Sequence, residues 1–131
     1  MTFIWPIRVY YEDTDAGGVV FYANYLKYFE RARTELLRAN GYEQDQLVQQ
    51  EGILFVVRSM QIDYLSPARF NELLQVSADL VEVKKASLVF NQVVSREQQP
   101  LCTAVCKIAC LDANTMRPKA IPPYLPQQLT S

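Results

Sequence analysis

The chain has 131 residues, a formal net charge of −1, 50% hydrophobic residues, three cysteines and no histidine. That length suits one domain, residues 1–131, with enough apolar side chains for a core, and the balanced charge argues against a nucleic-acid binder, which carries a basic face. The missing histidine excludes Ser-His-Asp and Cys-His hydrolysis, histidine-ligated zinc and any acid–base scheme built on imidazole. If the chain is an enzyme, carboxylates, hydroxyls, backbone amides or cysteines must do its chemistry.

In chain order, Met1 to Pro6 offers no basic segment and no long apolar run, so no signal peptide is expected. Nor does any stretch approach the roughly 18 apolar residues of a membrane span. Trp5, Ile7, Val9 and Tyr11 alternate with Pro6, Arg8 and Tyr10, which predicts a strand. A turn-rich loop follows, Glu12-Asp13-Thr14-Asp15-Ala16-Gly17-Gly18. Tyr25, Phe29, Ala32 and Leu36 then recur at helical spacing, so a helix is predicted over 24–39, with Asn24 as its N-cap and Gly41 as its stop. A short helical turn is predicted over 44–50.

After Gly52 the period changes to two. Met60, Ile62 and Tyr64 predict one strand, and Leu74, Val76, Ala78 and Leu80 another. The segments 87–95 and 101–111 are also rich in strand formers. Pro118, Pro122, Pro123 and Pro126 mark a non-regular end, with a flexible tail over 124–131. One strand, one long helix and four further strands joined by short turns predict an α+β fold, with an antiparallel sheet wrapped around the helix.

The loop at 12–18 is the best candidate for chemistry. Tyr10, Tyr11, Phe21, Tyr22, Tyr25, Tyr28 and Phe29 flank it. An acidic loop among aromatics can desolvate a carboxylate and raise its reactivity. Gly17 and Gly18 let the backbone approach a ligand closely. The helix that follows starts with unpaired amide donors. A carboxylate beside such donors could attack a carbonyl or activate a water, while the donors hold the oxyanion. A plainer reading is that Asp13 and Asp15 only cap turns. Calcium is not favoured, because Gly17 and Asn24 stand where a calcium loop needs ligands. An aspartyl phosphotransferase would need a parallel α/β core.

The segment from Val9 to Tyr25 resembles the active-site signature of the 4-hydroxybenzoyl-CoA thioesterase branch of hotdog-fold enzymes. The run Phe29-Glu30-Arg31-Ala32-Arg33-Thr34-Glu35 is similar to the Tol-Pal-associated acyl-CoA thioesterases of that family. So are Phe55-Val56-Val57-Arg58, Ser66-Pro67-Ala68-Arg69 and Ser87-Leu88-Val89-Phe90. The resemblance implies a five-stranded antiparallel sheet around the long helix. It also implies a homodimer or homotetramer with sites at the subunit interface. Asp15 would be the catalytic carboxylate, as nucleophile or general base. The Tyr22 backbone N–H would hold the oxyanion. Tyr22 stands where the Tol-Pal branch usually carries histidine.

The same resemblance gives a binding set of Gly17, Gly18, Val19, Asn24, Tyr25, Arg58, Lys84, Lys85 and Ser87, with the two lysines meeting coenzyme A phosphates. An ordinary charged turn is the other reading of Lys84 and Lys85. Arg58 and Arg69 could each simply pair with a carboxylate. Glu30 and Glu35 have arginines at helical spacing and read as structural. Cys102, Cys106 and Cys110 share one strand face and are too spread along it to converge on one ion, so they read as buried free thiols.

The implied activity is hydrolysis of acyl-CoA thioesters in the cytoplasm, without metal or organic cofactor. An acyl-carrier protein is a further possible partner. A hydratase on this fold would use histidine, which this chain lacks. The alternative from another class is a non-catalytic acyl-CoA or acyl-carrier-protein binding module linked to membrane and phospholipid machinery.

Overall fold

A computed structural model of the protein describes residues 2–130. Five strands form one antiparallel sheet: β1 (Phe3–Arg8), β2 (Ile53–Tyr64), β3 (Leu73–Val83), β4 (Ser87–Arg96) and β5 (Gln99–Asp112). Their order across the sheet is β1-β3-β4-β5-β2, so β1 and β2 are the edges. Helix α1 (Asn24–Ala39) lies against one face, as the periodicity predicts. This is the hotdog arrangement.

The core forms where the two periods meet. Tyr25, Tyr28, Phe29, Ala32, Leu36 and Leu37 are the buried face of α1. They join Leu74, Val76 and Ala78 of β3, Phe90 and Val94 of β4, and Ala104 of β5 in one cluster. Burying a side chain such as Phe29 or Leu36 is worth about 1.5–3 kcal/mol. Cys102, Cys106 and Cys110 alternate into the same core as free thiols. Gly41, at φ 86°, ends α1 in the left-handed region that glycine tolerates.

Four expectations need correction. The first strand stops at Arg8, because the chain winds into a 3-10 turn at Tyr11–Asp13. Ala23, not Asn24, sits at the N-cap, and the Asn24 side chain is used elsewhere. Strand β2 begins at Ile53 rather than near Met60, and a register shift between Val57 and Ser59 interrupts its alternation. The predicted tail at 124–131 contains helix α3 (Tyr124–Thr130), which buries Leu125 and Leu129 in the core. Between α1 and β2 lie α2 (Gln44–Gln46) and a π-turn (Leu47–Glu51), close to the predicted helical turn.

Candidate active site

The loop after β1 is a small hairpin. The Phe21 amide donates to the Asp13 carbonyl at 2.9 Å, Thr14 bridges Val20, and the Asp15 amide donates to the Val19 carbonyl at 2.9 Å. Gly18 closes the turn at φ 77°. The hairpin is fixed to the body by the Val20 amide on the Ala68 carbonyl, and Val19 bridges Arg69. Asp15 and the entry to α1 are therefore held by a shared set of backbone bonds.

Asp15 is exposed at the hairpin tip. Its Oδ1 accepts the Gly17 amide at 2.9 Å. A Cβ on Gly17 would lie 3.2 Å from that same oxygen, so glycine leaves the carboxylate its room. The desolvated carboxylate expected from the aromatic surroundings is Asp13 instead. Asp13 is buried, and its Oδ2 accepts the Tyr10 amide at 2.8 Å. The turn-capping reading thus describes both carboxylates, Asp13 on the Tyr10 amide and Asp15 on the Gly17 amide, but only Asp15 is also exposed to a ligand.

Tyr22 is exposed, and its amide finds no acceptor among the described residues. Its carbonyl accepts the Tyr64 hydroxyl at 2.9 Å. The Tyr22 ring packs between Phe21 and Tyr64, and Tyr64 in turn meets Tyr25 edge to face. Val20, Tyr22, Tyr25, Tyr64, Leu65 and Pro67 together line an open cleft beside the free amide. Tyr25 itself is buried and accepts the Ala68 amide through its hydroxyl at 3.1 Å. Asn24 donates through Nδ2 to the Asp13 carbonyl at 2.8 Å, which ties the first turn of α1 to the hairpin. Both residues brace the site in this chain.

Lys84, Lys85, Ser87 and Arg58 are not brought to Asp15 within one chain. Arg8, where β1 ends, is paired with Leu73 at the start of β3, whereas Lys84 and Lys85 follow its last residue, Val83. Strand β3 has 11 residues, which span roughly 35 Å. Lys84 pairs with Glu82 at 3.5 Å, and Lys85 is exposed. Arg58 is exposed at the register shift of β2.

Two residues outside the expected catalytic and binding set also shape the site. Tyr64 sits at the end of a strand and is bonded across the fold. Tyr28 is fully buried, and its hydroxyl has no hydrogen-bond partner among the described residues. Burial and the neighbouring Asp13 carboxylate hold that phenol well above its usual pKa, yet the contact with Asp13 does not reach hydrogen-bond geometry.

The family model of the thioesterase-like superfamily matches residues 9–129. The chain belongs to that superfamily. A Haemophilus influenzae protein called acyl-CoA thioesterase YbgC is 47% identical over 120 residues, 92% of this chain and 88% of that one. An Escherichia coli O157:H7 protein called acyl-CoA thioester hydrolase YbgC is 45% identical over 121 residues, 92% of this chain and 90% of that one. The crystal structure of a probable thioesterase from Bartonella henselae superposes with a TM-score of 0.89 at 34% identity, covering 93% of this chain and 100% of that one. Within the thioesterase-like superfamily, then, this chain carries its acidic hairpin, free helix-entry amide and tyrosine cleft at one end of the sheet.

Proposed function

We propose that the protein hydrolyses acyl-CoA thioesters to the free acid and coenzyme A, with Asp15 as the catalytic carboxylate. One observation carries this reading: the Asp15 carboxylate and the unpartnered Tyr22 amide belong to one hairpin–helix junction. The names of the similar YbgC proteins support the reaction class. A thioester carbonyl in the tyrosine cleft would accept the Tyr22 N–H, which gains strength as negative charge develops on that oxygen. Asp15 then either takes a proton from the attacking water or attacks the carbonyl itself, forming a mixed anhydride that water cleaves. Both routes end with carboxylate product, coenzyme A thiol and a regenerated Asp15. Water, carboxylate and amide suffice, so the scheme needs no metal or organic cofactor.

The site is completed by a second copy. Strand β2 offers 12 residues of edge with no neighbour on its outer side among the described residues. Such an edge is a template for pairing with another chain. Antiparallel pairing of two β2 strands about a two-fold axis sets opposite ends of the two sheets side by side. The partner copy's Arg58, Lys84 and Lys85 then come toward Asp15, as cations for coenzyme A phosphates. A homodimer, or a homotetramer of two such dimers, follows from this reading.

No helix of the described residues is long and apolar enough to cross a membrane. Three free cysteines suit the cytoplasm. Service to the Tol-Pal machinery belongs to the same reading and rests on the likeness of residues 29–35, and acyl-carrier protein is a further partner in it. The test is thiol release from a panel of acetyl-, long-chain and aromatic acyl-CoAs. Hydrolysis of at least one is expected. Binding without turnover on every member would assign the chain to a non-catalytic module instead.

A further inference from the structure

The half of α1 remote from the hairpin carries a buried cation that the scheme above does not use. Arg33 is 8% exposed, and its guanidinium forms no ion pair among the described residues. Its single hydrogen bond among the described residues runs from Nη1 to Gln92 Oε1 at 2.9 Å. Gln92 is itself 1% exposed and is fixed through Nε2 on the carbonyls of Phe29 and Ser77, at 3.0 and 3.1 Å. That anchoring aims the Gln92 oxygen and holds the guanidinium in place. Burial lowers the Arg33 pKa below its ordinary value, and the opposing pull of the nearby Glu30 carboxylate does not restore it.

The remaining guanidinium N–H groups are not sealed in protein, because Tyr28 Oη is the sole fully buried side-chain polar atom without a partner among the described residues. Arg33 lines a cavity of about 150 Å³. The other walls are mainly apolar: Leu37, Phe55, Val57, Leu88, Phe90 and Ile108. Glu30 is exposed at the cavity's edge and is turned to Thr34 at 3.4 Å. An apolar cavity near 150 Å³ holds a ligand the size of benzene. A guanidinium set into such a wall matches a planar carboxylate, which it can grip with two parallel hydrogen bonds.

We propose that the Arg33 cavity is a binding site for a carboxylate carried on an aromatic or short apolar body. Two sources supply that chemistry. One is a free carboxylic acid. The other is the far end of a carboxyacyl thioester held at the partner copy's hairpin, which β2 pairing would bring to this cavity. Binding of the free acid does not depend on Asp15 catalysis; only the thioester source rests on the proposed function.

The experiment is an NMR titration of the full chain with benzoate and, at matched ionic strength, with benzyl alcohol. Benzoate should bind at least tenfold more tightly and shift the amides of Arg33, Leu37 and Phe90. Arg33→Met should erase the preference. Because that variant could unfold, Glu30→Gln on the exposed rim provides a second reading, and it should tighten benzoate several-fold. Equal affinity for the acid and the alcohol would overturn the proposal, as would benzoate shifts confined to the Lys84–Lys85 turn. Succinyl-CoA and butyryl-CoA hydrolysis then separate the sources. A succinyl preference lost in Arg33→Met assigns the site to the substrate's acyl group. Indifference, with benzoate still bound, assigns it to free acid.

Discussion

The Asn24 side-chain amide donates a 2.8 Å hydrogen bond to the main-chain carbonyl of Asp13. The Phe21 amide meets that same carbonyl at 2.9 Å. One oxygen thus ties the first residue of α1 to the hairpin that carries Asp15. Loss of the Asn24 donor should let hairpin and helix drift apart. Small misplacements of reacting groups cost up to about 100-fold in rate. Asn24→Ala is therefore expected to lower kcat by about 10- to 100-fold with KM little changed, and to cost about 1 kcal/mol of stability. Asn24→Asp should fare no better, since its carboxylate cannot donate. Unchanged kcat in Asn24→Ala would return this contact to plain helix support.

The predicted helix and the acidic loop were legible because their signals are local. Apolar spacing of 3.6 residues marked 24–39, and the Asp-Gly run marked the turn. Features set by distant partners were not legible. Asn24 has the residue type of an N-cap, but Ala23 takes that place and the Asp13 carbonyl claims the Asn24 side chain. The first half of β2 hid behind its register shift at Val57 and Ser59. Helix α3 hid behind its prolines; Pro123 precedes it and Pro126 falls in its first turn, where a missing N–H costs nothing. Lys84 and Lys85, expected from the resemblance to meet coenzyme A phosphates, follow the end of β3 remote from the Asp15 hairpin. In the proposed dimer a second chain joins them.

Subunit exchange tests that joining. Asp15→Asn and the Lys84→Ala/Lys85→Ala double variant should each be impaired at low acyl-CoA concentration. Mixed dimers would hold one intact site, with Asp15 from one copy and the lysines from the other. Full exchange should restore about a quarter of wild-type activity, since half of the dimers are mixed and each has one good site. No recovery, with exchange shown by mass spectrometry, would place each site within a single chain.

The Tyr28 hydroxyl is buried without a hydrogen-bond partner among the described residues. An unsatisfied buried hydroxyl costs about 1–3 kcal/mol, so its removal should not hurt. Tyr28→Phe is expected to unfold in urea at the same concentration as wild type or at a higher one. A clear loss of stability would reveal a real bond from this hydroxyl to Asp13.

Burial pushes the Cys102 thiol up to about 12 and also raises Cys106 and Cys110. Each folded value lies above the ordinary thiol value of 9.0. The protonated thiols therefore contribute their stability in full below about 9, and it fades as pH rises from there toward about 12. Urea midpoints should fall over that window in wild type. A triple Cys→Ala variant should show a smaller fall. A thiol reagent at neutral pH should label none of the three in the native protein and all three in urea. Rapid native labelling would contradict their burial.

The central claim is that Asp15 carries the reaction. It is tested most directly by kcat for the best acyl-CoA of the panel in Asp15→Asn, with acyl-CoA binding measured in parallel. The amide side chain keeps the shape but cannot take a proton or form the anhydride. General-base or nucleophilic carboxylates contribute about 10²–10⁴-fold, so a fall of that size with binding retained is expected. Wild-type turnover in Asp15→Asn would contradict the account.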